Sequence, residues 1–115
     1  MDADAALTDL TDVSTQVREA VVLEREGPVV ASTIADEARS RALADAARGA
    51  LEAASRVRTA SSSQVTALEA AVPEGSLFVA AGASHVVAAT TGPEEPAGLV
   101  LYDLRTCLRS LEEDA

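Results

Sequence analysis

The run SLFVAAGASHVVAATT, residues 76–91, limits the possible folds more than any other stretch of this chain. It holds two apolar arms around Gly82-Ala83-Ser84, and neither arm alternates with polar residues. Leu77, Val79 and Ala81 on one face are matched by Phe78 and Ala80 on the other, and Val86 by Val87. A strand with one wet face reads apolar, polar, apolar; a strand that is apolar throughout is buried on both sides. The hairpin therefore predicts two central strands with helices above and below. The rest of the chain has to supply those covers.

The longest helical pattern is DEARSRALADAARGALEAASRVR, residues 36–58. At about 100° per residue, its apolar side from Ala42 through Ala53, Ala46, Val57, Ala50, Leu43, Ala54, Ala47 and Leu51 to Ala44 sweeps roughly 200°. An ordinary amphipathic helix needs a stripe a little over 100° wide. Two readings follow. Either two surfaces cover the arc, one inside the protomer and one outside, or Ala is simply a strong helix former there. Gly49 sits inside the helix, at a cost of roughly 1 kcal/mol relative to Ala, and such a glycine often marks a close approach by another backbone. Arg41, Asp45, Arg48, Glu52 and Arg56 form the wet side.

Upstream, Leu7, Leu10, Val13 and Val17 at spacings of three and four predict a helix over residues 5–17, with its acids early, where they suit the helix dipole. AVVLEREGPVVAST, residues 20–33, reads as a β-hairpin turning at Glu24-Arg25-Glu26-Gly27, with Gly27 expected at positive φ. Pro28 removes a backbone donor, which places its strand, residues 29–33, on a sheet edge. Thr33 and Asp36 look like a helix-start pair. The polar tract 59–63 ends the long helix, and residues 64–72 fit a strand or a helix; the hairpin that follows favours a strand. Gly92, Pro93 and Pro96 introduce a last helix striped by Leu101, Leu104, Leu108 and Leu111, with Arg105 and Arg109 late in it. Residues 1–4 and 112–115 are expected to fray, leaving one domain over residues 1–115.

Phe78 and Tyr102 are the whole aromatic inventory, so the core must be built from Ala, Val and Leu. Oligomerisation is a common remedy for a thin core. The net charge is −10, and all nine cationic residues are Arg. Nucleic acid and anionic membranes both require a basic patch, and neither is an expected partner. A basic protein partner or a high-salt cytoplasm suits such a surface. One cysteine, Cys107, fits a reducing compartment. With no basic-then-apolar N-terminus and no membrane-length apolar run, the expected location is cytoplasmic.

Little here carries catalytic chemistry. His85 is the single histidine, with no ligand cluster around it in sequence, and reads as a strand-end residue. Cys107 lies among the leucines of the last helix and reads as a small buried hydrophobe. There is no GxxxxGK[ST] and no GxGxxG, so no nucleotide loop. No cofactor, metal or enzymatic activity is expected.

The order helix, two strands, long helix, three strands, helix resembles the Roadblock/dynein light chain family, most closely its prokaryotic MglB-like members. The segments carrying the resemblance are AVVLEREGPVVAST, the Ala- and Leu-rich helix after it, and GPEEPAGLVLYDLRTCLRSL, residues 92–111 with Gly98. It implies an α+β fold: a five-stranded antiparallel sheet in the order 2-1-5-4-3, the long helix on one face and two helices on the other. It also implies a homodimer that joins third strands across a twofold and lays the second helices side by side. Carried onto this sequence, the dimer contact takes Ala42, Ala46, Gly49, Ala50, Ala53, Val57, Val65 and Ala67. The third strand is weak in β-propensity, with Ala67, Ala70 and Ala71 in it.

The implied function is a homodimeric regulatory or scaffold module for a Ras-like small GTPase of the MglA type, acting as scaffold or GTPase-activating partner. Its partner surface would be Arg41, Asp45, Arg48 and Glu52. The plainer reading of those four is intrahelical i,i+4 pairing worth a few tenths of a kcal/mol. Two other functions fit the order: a small-molecule sensing module of profilin-like or PAS-like type, and a structural assembly subunit without a GTPase. Sparse aromatic and polar residues at apolar positions count against the sensor.

Overall fold

A computed structural model describes residues 1–57 and 65–113. The tract 59–63, residues 58 and 64 and the last two residues lie outside that description. The long helix already ends at Ser55 and the third strand begins only at Ala67, so both are shorter than the expected 36–58 and 64–72. The elements are α1 (Ala3–Val13), β1 (Val17–Glu24), β2 (Val29–Ser32), α2 (Glu37–Ser55), β3 (Ala67–Val72), β4 (Gly75–Ala81), β5 (His85–Thr91) and α3 (Ala97–Glu113). The five strands form one antiparallel sheet in the order β2-β1-β5-β4-β3. This is the expected α+β architecture, with β2 at one edge, where Pro28 required it.

The two-sided apolar strands divide their residues between two cores. Val21, Leu23, Val79, Val86 and Ala88 pack under Leu43, Ala44 and Ala47 of α2. Ala20, Val22, Phe78, Val87 and Ala89 point the other way, against Leu7 and Leu10 of α1 and Val100, Leu104, Cys107 and Leu108 of α3. Successive residues of a strand face opposite sides, so β1, β4 and β5 can serve both cores at once.

Three local expectations change. Asp36 alone caps α2, its carboxylate accepting from the Ala38 N–H at 2.9 Å. Thr33 instead bridges the sheet: its Oγ1 accepts from the Ala20 N–H at 2.9 Å. The β1–β2 turn needs no positive φ, because Gly27 does not adopt one. And α1 stops at Val13, not residue 17, with Ser14 buried behind it and its N–H bonded to the Leu10 carbonyl at 2.8 Å. Val17 opens β1 opposite Thr91, since a β-branched residue is better used on the sheet. The shorter helix puts Asp9 and Asp12 in its second half, against the dipole.

Helix also covers residues assigned to fraying ends. Asp2 caps α1 by accepting from the Ala5 N–H at 2.8 Å, and α3 runs through Glu113. At the β3–β4 turn a glycine is obligatory. A Cβ on Gly75 would collide with the backbone carbonyl of Thr91 on the neighbouring strand β5.

Candidate functional site

The wide apolar arc of α2 splits into a covered part and an open part. Leu43, Ala44 and Ala47 are buried against the sheet, and Leu51 is half-buried beside them. Ala42, Ala46, Gly49 and Ala53 are exposed on the outer side, Ala50 is half-buried, and Val57 just past the helix is 80% exposed. Among the described residues a Cβ on Gly49 would meet nothing within 4 Å, so none of their backbone explains that glycine.

The two flanks of α2 face different strands. Ala44, Arg41 and Arg48 border a groove of about 520 Å³ shared with Val29, Ser32 and Ile34, on the β2 side. Arg39, on the other flank, borders a groove shared with Ala70, Val72 and Leu77, on the β3 side. Ala46 and Ala53 lie within about 40° of Arg39 around the helix, so the open apolar flank looks toward β3.

There the sheet itself is uncovered. β3 pairs with β4 from Ala67↔Ala80 to Val72↔Gly75 and ends the sheet, leaving its outer row of N–H and C=O groups free of any strand among the described residues. Leu68, Ala70 and Val72 fall on the α2 face of that strand, with Leu68 half-buried and Val72 60% exposed. Ala67 and Val65 are half-buried at the start of the same segment. The structure thus brings Ala42, Ala46, Gly49, Ala50 and Ala53 together on one helix flank, with Val57 just past its end, beside an edge strand that holds Ala67.

Folds with this arrangement are known. No protein-family model matches the chain, and no curated protein matches it in sequence. Among solved structures it is similar to a Roadblock/LC7 domain from Streptomyces avermitilis, with TM-score 0.85 and 21% identity over 98% of this chain and 97% of the other. It is similar to MglB of Myxococcus xanthus, with TM-score 0.68 and 14% identity over 96% and 82%. Profilin II of Acanthamoeba castellanii follows at TM-score 0.63 and 10% identity over 99% and 100%. The chain has the Roadblock/LC7 fold.

On this Roadblock fold the four charged positions of α2 do not act alike. Arg48 reaches across to the β1–β2 turn, donating to the Glu24 carbonyl at 3.0 Å and to the Gly27 carbonyl. Arg41, Asp45 and Glu52 stay exposed. The i,i+4 pair that forms is Glu52–Arg56 at 2.6 Å, not Arg48–Glu52 or Arg41–Asp45. A terminal guanidinium that finds two backbone carbonyls in fixed geometry is better satisfied there than by a solvated carboxylate.

Sequence reasoning missed two polar anchors of this chain, both long-range in sequence. Arg39 grips Glu19 on β1, Nη2 to Oε1 at 2.8 Å and Nε to Oε2 at 3.2 Å. That hydrogen-bonded guanidinium outweighs burial and holds the Glu19 carboxyl below its ordinary range. Glu112, assigned to a frayed tail, fastens α3 to the β4–β5 turn. Only the sequence separation hid it, because nothing local marks either partner. Among the described residues no group of three or more His, Cys, Asp or Glu could hold a metal, and no helix is long and apolar enough to cross a membrane.

Proposed function

We propose that this chain is a homodimeric regulatory module whose twin α2 helices present a platform to a Ras-like small GTPase. The observation that carries the reading is the coincidence of three open apolar features on one side: the unpaired β3 edge, the Leu68–Ala70–Val72 face beside it, and the Ala46/Ala53 flank of α2 with Val57 just past its end. An exposed flat edge strand invites pairing with another chain. A twofold that joins two β3 edges would extend the sheet to twice its five strands. It would also bring the two open α2 flanks together over the seam. Small residues there let helix backbones approach closely, which gives Gly49 a purpose the protomer alone does not. The dimer contact so proposed is Ala42, Ala46, Gly49, Ala50, Ala53 and Val57 with Val65 and Ala67.

Arg41, Asp45 and Glu52 then sit beyond the seam on both copies, available to a partner, while Arg48 acts mainly as a strut for the β1–β2 turn. The Roadblock/LC7 and MglB likenesses support this reading over a sensor or a bare assembly subunit. The chain itself supplies no nucleotide loop, so any GTPase chemistry would belong to the partner and the dimer would act by positioning its switch segments.

The test is sedimentation of the purified chain, followed by binding and GTP hydrolysis with a small GTPase encoded beside it. A particle of twice 11.8 kDa that binds the GTPase and changes its hydrolysis rate is expected. A monomer at micromolar concentration removes the dimer; a dimer that neither binds nor alters any such GTPase removes the platform.

A further inference from the structure

The opposite face of the sheet carries a further open groove, between α1 and α3, of about 420 Å³. Leu10, Val13 and Cys107 contribute its apolar lining, and Asp9, Asp12 and Asp103 its charge. Every charged residue that lines it is an aspartate; none of the nine arginines does so. The apolar surface continues outward: Val13 is 69% exposed, and Leu99 and Tyr102, one turn before Asp103 and Thr106 on α3, are 48% and 63% exposed.

The charges are placed against local helical preference. Asp9 and Asp12 stand in the second half of α1, near the negative end of its dipole, three residues apart on adjoining turns, with no basic residue in the last turn. Like charges at that spacing and acids at a C-terminus each cost a few tenths of a kcal/mol or more. Asp103 faces them across the same groove. A neutral or basic residue at any of the three would make a steadier helix pair. What the trio does provide is a concentrated negative field beside exposed Val13, over a floor of buried Leu10 and Cys107.

We propose that the α1–α3 groove is a docking site for a basic amphipathic helix of a partner protein. Such a helix would lay its apolar stripe on Val13 and the Leu99/Tyr102 shoulder, and set Lys or Arg opposite Asp9, Asp12 and Asp103. A trough between two helices is shaped for a third, which packs as a ridge into it. Charge selects the occupant. A second copy carries −10, and the arginines of its α2 are largely engaged, Arg39 with Glu19, Arg48 with the β1–β2 turn and Arg56 with Glu52. A nucleic acid or anionic lipid surface meets three carboxylates head on. The groove lies on the far side of the sheet from α2, so a partner here leaves the α2 platform free. The proposal does not depend on the GTPase reading.

The probe is a synthetic helix of about 14 residues built from leucine and lysine, with leucines at i, i+3, i+4 and i+7. Its control is a scrambled peptide of equal composition. Both are titrated into the full chain at near-physiological salt and followed by amide chemical shifts. The expected result is saturable binding of the helical peptide, at least about tenfold tighter than the scramble, with shifts concentrated at residues 9–13 and 99–110. The pair Asp9→Asn/Asp103→Asn should weaken it about tenfold, and Val13→Ser/Tyr102→Ser should remove its advantage over the scramble. These positions are exposed or at a groove rim, and a circular dichroism melt confirms that each variant folds. Equal affinity for both peptides, shifts spread over the acidic surface at large, or shifts centred on α2 overturn the proposal. So does an absence of binding.

Discussion

Glu112 and Ser84, 28 residues apart in sequence, are tied by two hydrogen bonds to a single carboxylate oxygen. The Ser84 N–H donates at 2.7 Å and its Oγ at 2.6 Å, while the N–H groups of Ala83 and His85 add bonds at 3.1 and 3.2 Å. One side chain thus satisfies the donors of the β4–β5 turn and fixes the end of α3 over it. Glu112→Ala leaves those donors to water at a largely exposed turn and unties the end of α3 from it, and should cost about 1 kcal/mol. Urea unfolding checks this: the midpoint falls while the slope is unchanged.

The same carboxylate makes stability fall in acid. Burial raises the Glu112 pKa, but the bonds from the Ser84 side chain and from the Ser84, Ala83 and His85 backbones prevail and leave it lowered. A carboxyl whose folded pKa is depressed contributes stability above the ordinary glutamate value, and that contribution is lost as pH falls through the folded pKa. Below a pH of about 4.3 the wild type should therefore lose stability faster than Glu112→Gln. Thermal melts of both from pH 7 down to pH 3 measure the difference, and parallel curves would contradict the assignment.

Two α2 substitutions separate folding from pairing. Ala46→Glu places a charge on the open flank and should convert a species of twice 11.8 kDa to one of 11.8 kDa by light scattering. Ala47→Glu, at a fully buried position one residue on, should instead prevent folding. In the Ala46→Glu background Gly49→Ala should raise stability by about 1 kcal/mol, since its methyl meets nothing in the protomer. In the unmodified chain the gain should shrink, because the twin helix would meet that methyl.

Glu94 sits at φ 64°, among the described residues the one non-glycine residue at positive φ. Left-handed backbone costs a β-carbon-bearing residue about 1 kcal/mol, of which glycine's extra unfolded-state freedom offsets part. Glu94→Gly should stabilise by about 0.5 kcal/mol, read as a small rise in the urea midpoint.

Cys107 should be chemically quiet. Burial first, and the Asp9 charge second, push its thiol up to about 11, and only 4% of the residue is exposed. Labelling by a disulfide reagent at pH 8 should wait on opening of the α1–α3 layer and accelerate steeply with urea. Prompt labelling in the native state would refute it.

What sequence made legible was whatever is written locally or periodically. The doubly apolar arms around Gly82 identified the central strands and so the three layers, and Pro28 identified an edge. The helix arc left two readings open, a second covered surface or plain alanine propensity, and Ala42, Ala46 and Ala53 are exposed where that arc exceeds the core contact, as either reading allows. Boundaries were harder: the period of three and four carried through Val17, though the sheet claimed that residue. Bonds that cross between elements, such as Arg48 to the β1–β2 turn or Glu112 to Ser84, left no trace, because either partner alone looks like an ordinary surface residue.

Phe78 is fully buried, Tyr102 is mostly exposed, and there is no tryptophan. Ultraviolet emission from this chain therefore comes from one phenol ring on α3 and is nearly blind to whether the core is formed. That turns a spectroscopic handicap into a label-free reporter. Quenching of a single tyrosine would follow events at the α1–α3 surface in real time, with unfolding monitored separately through the amide chromophores.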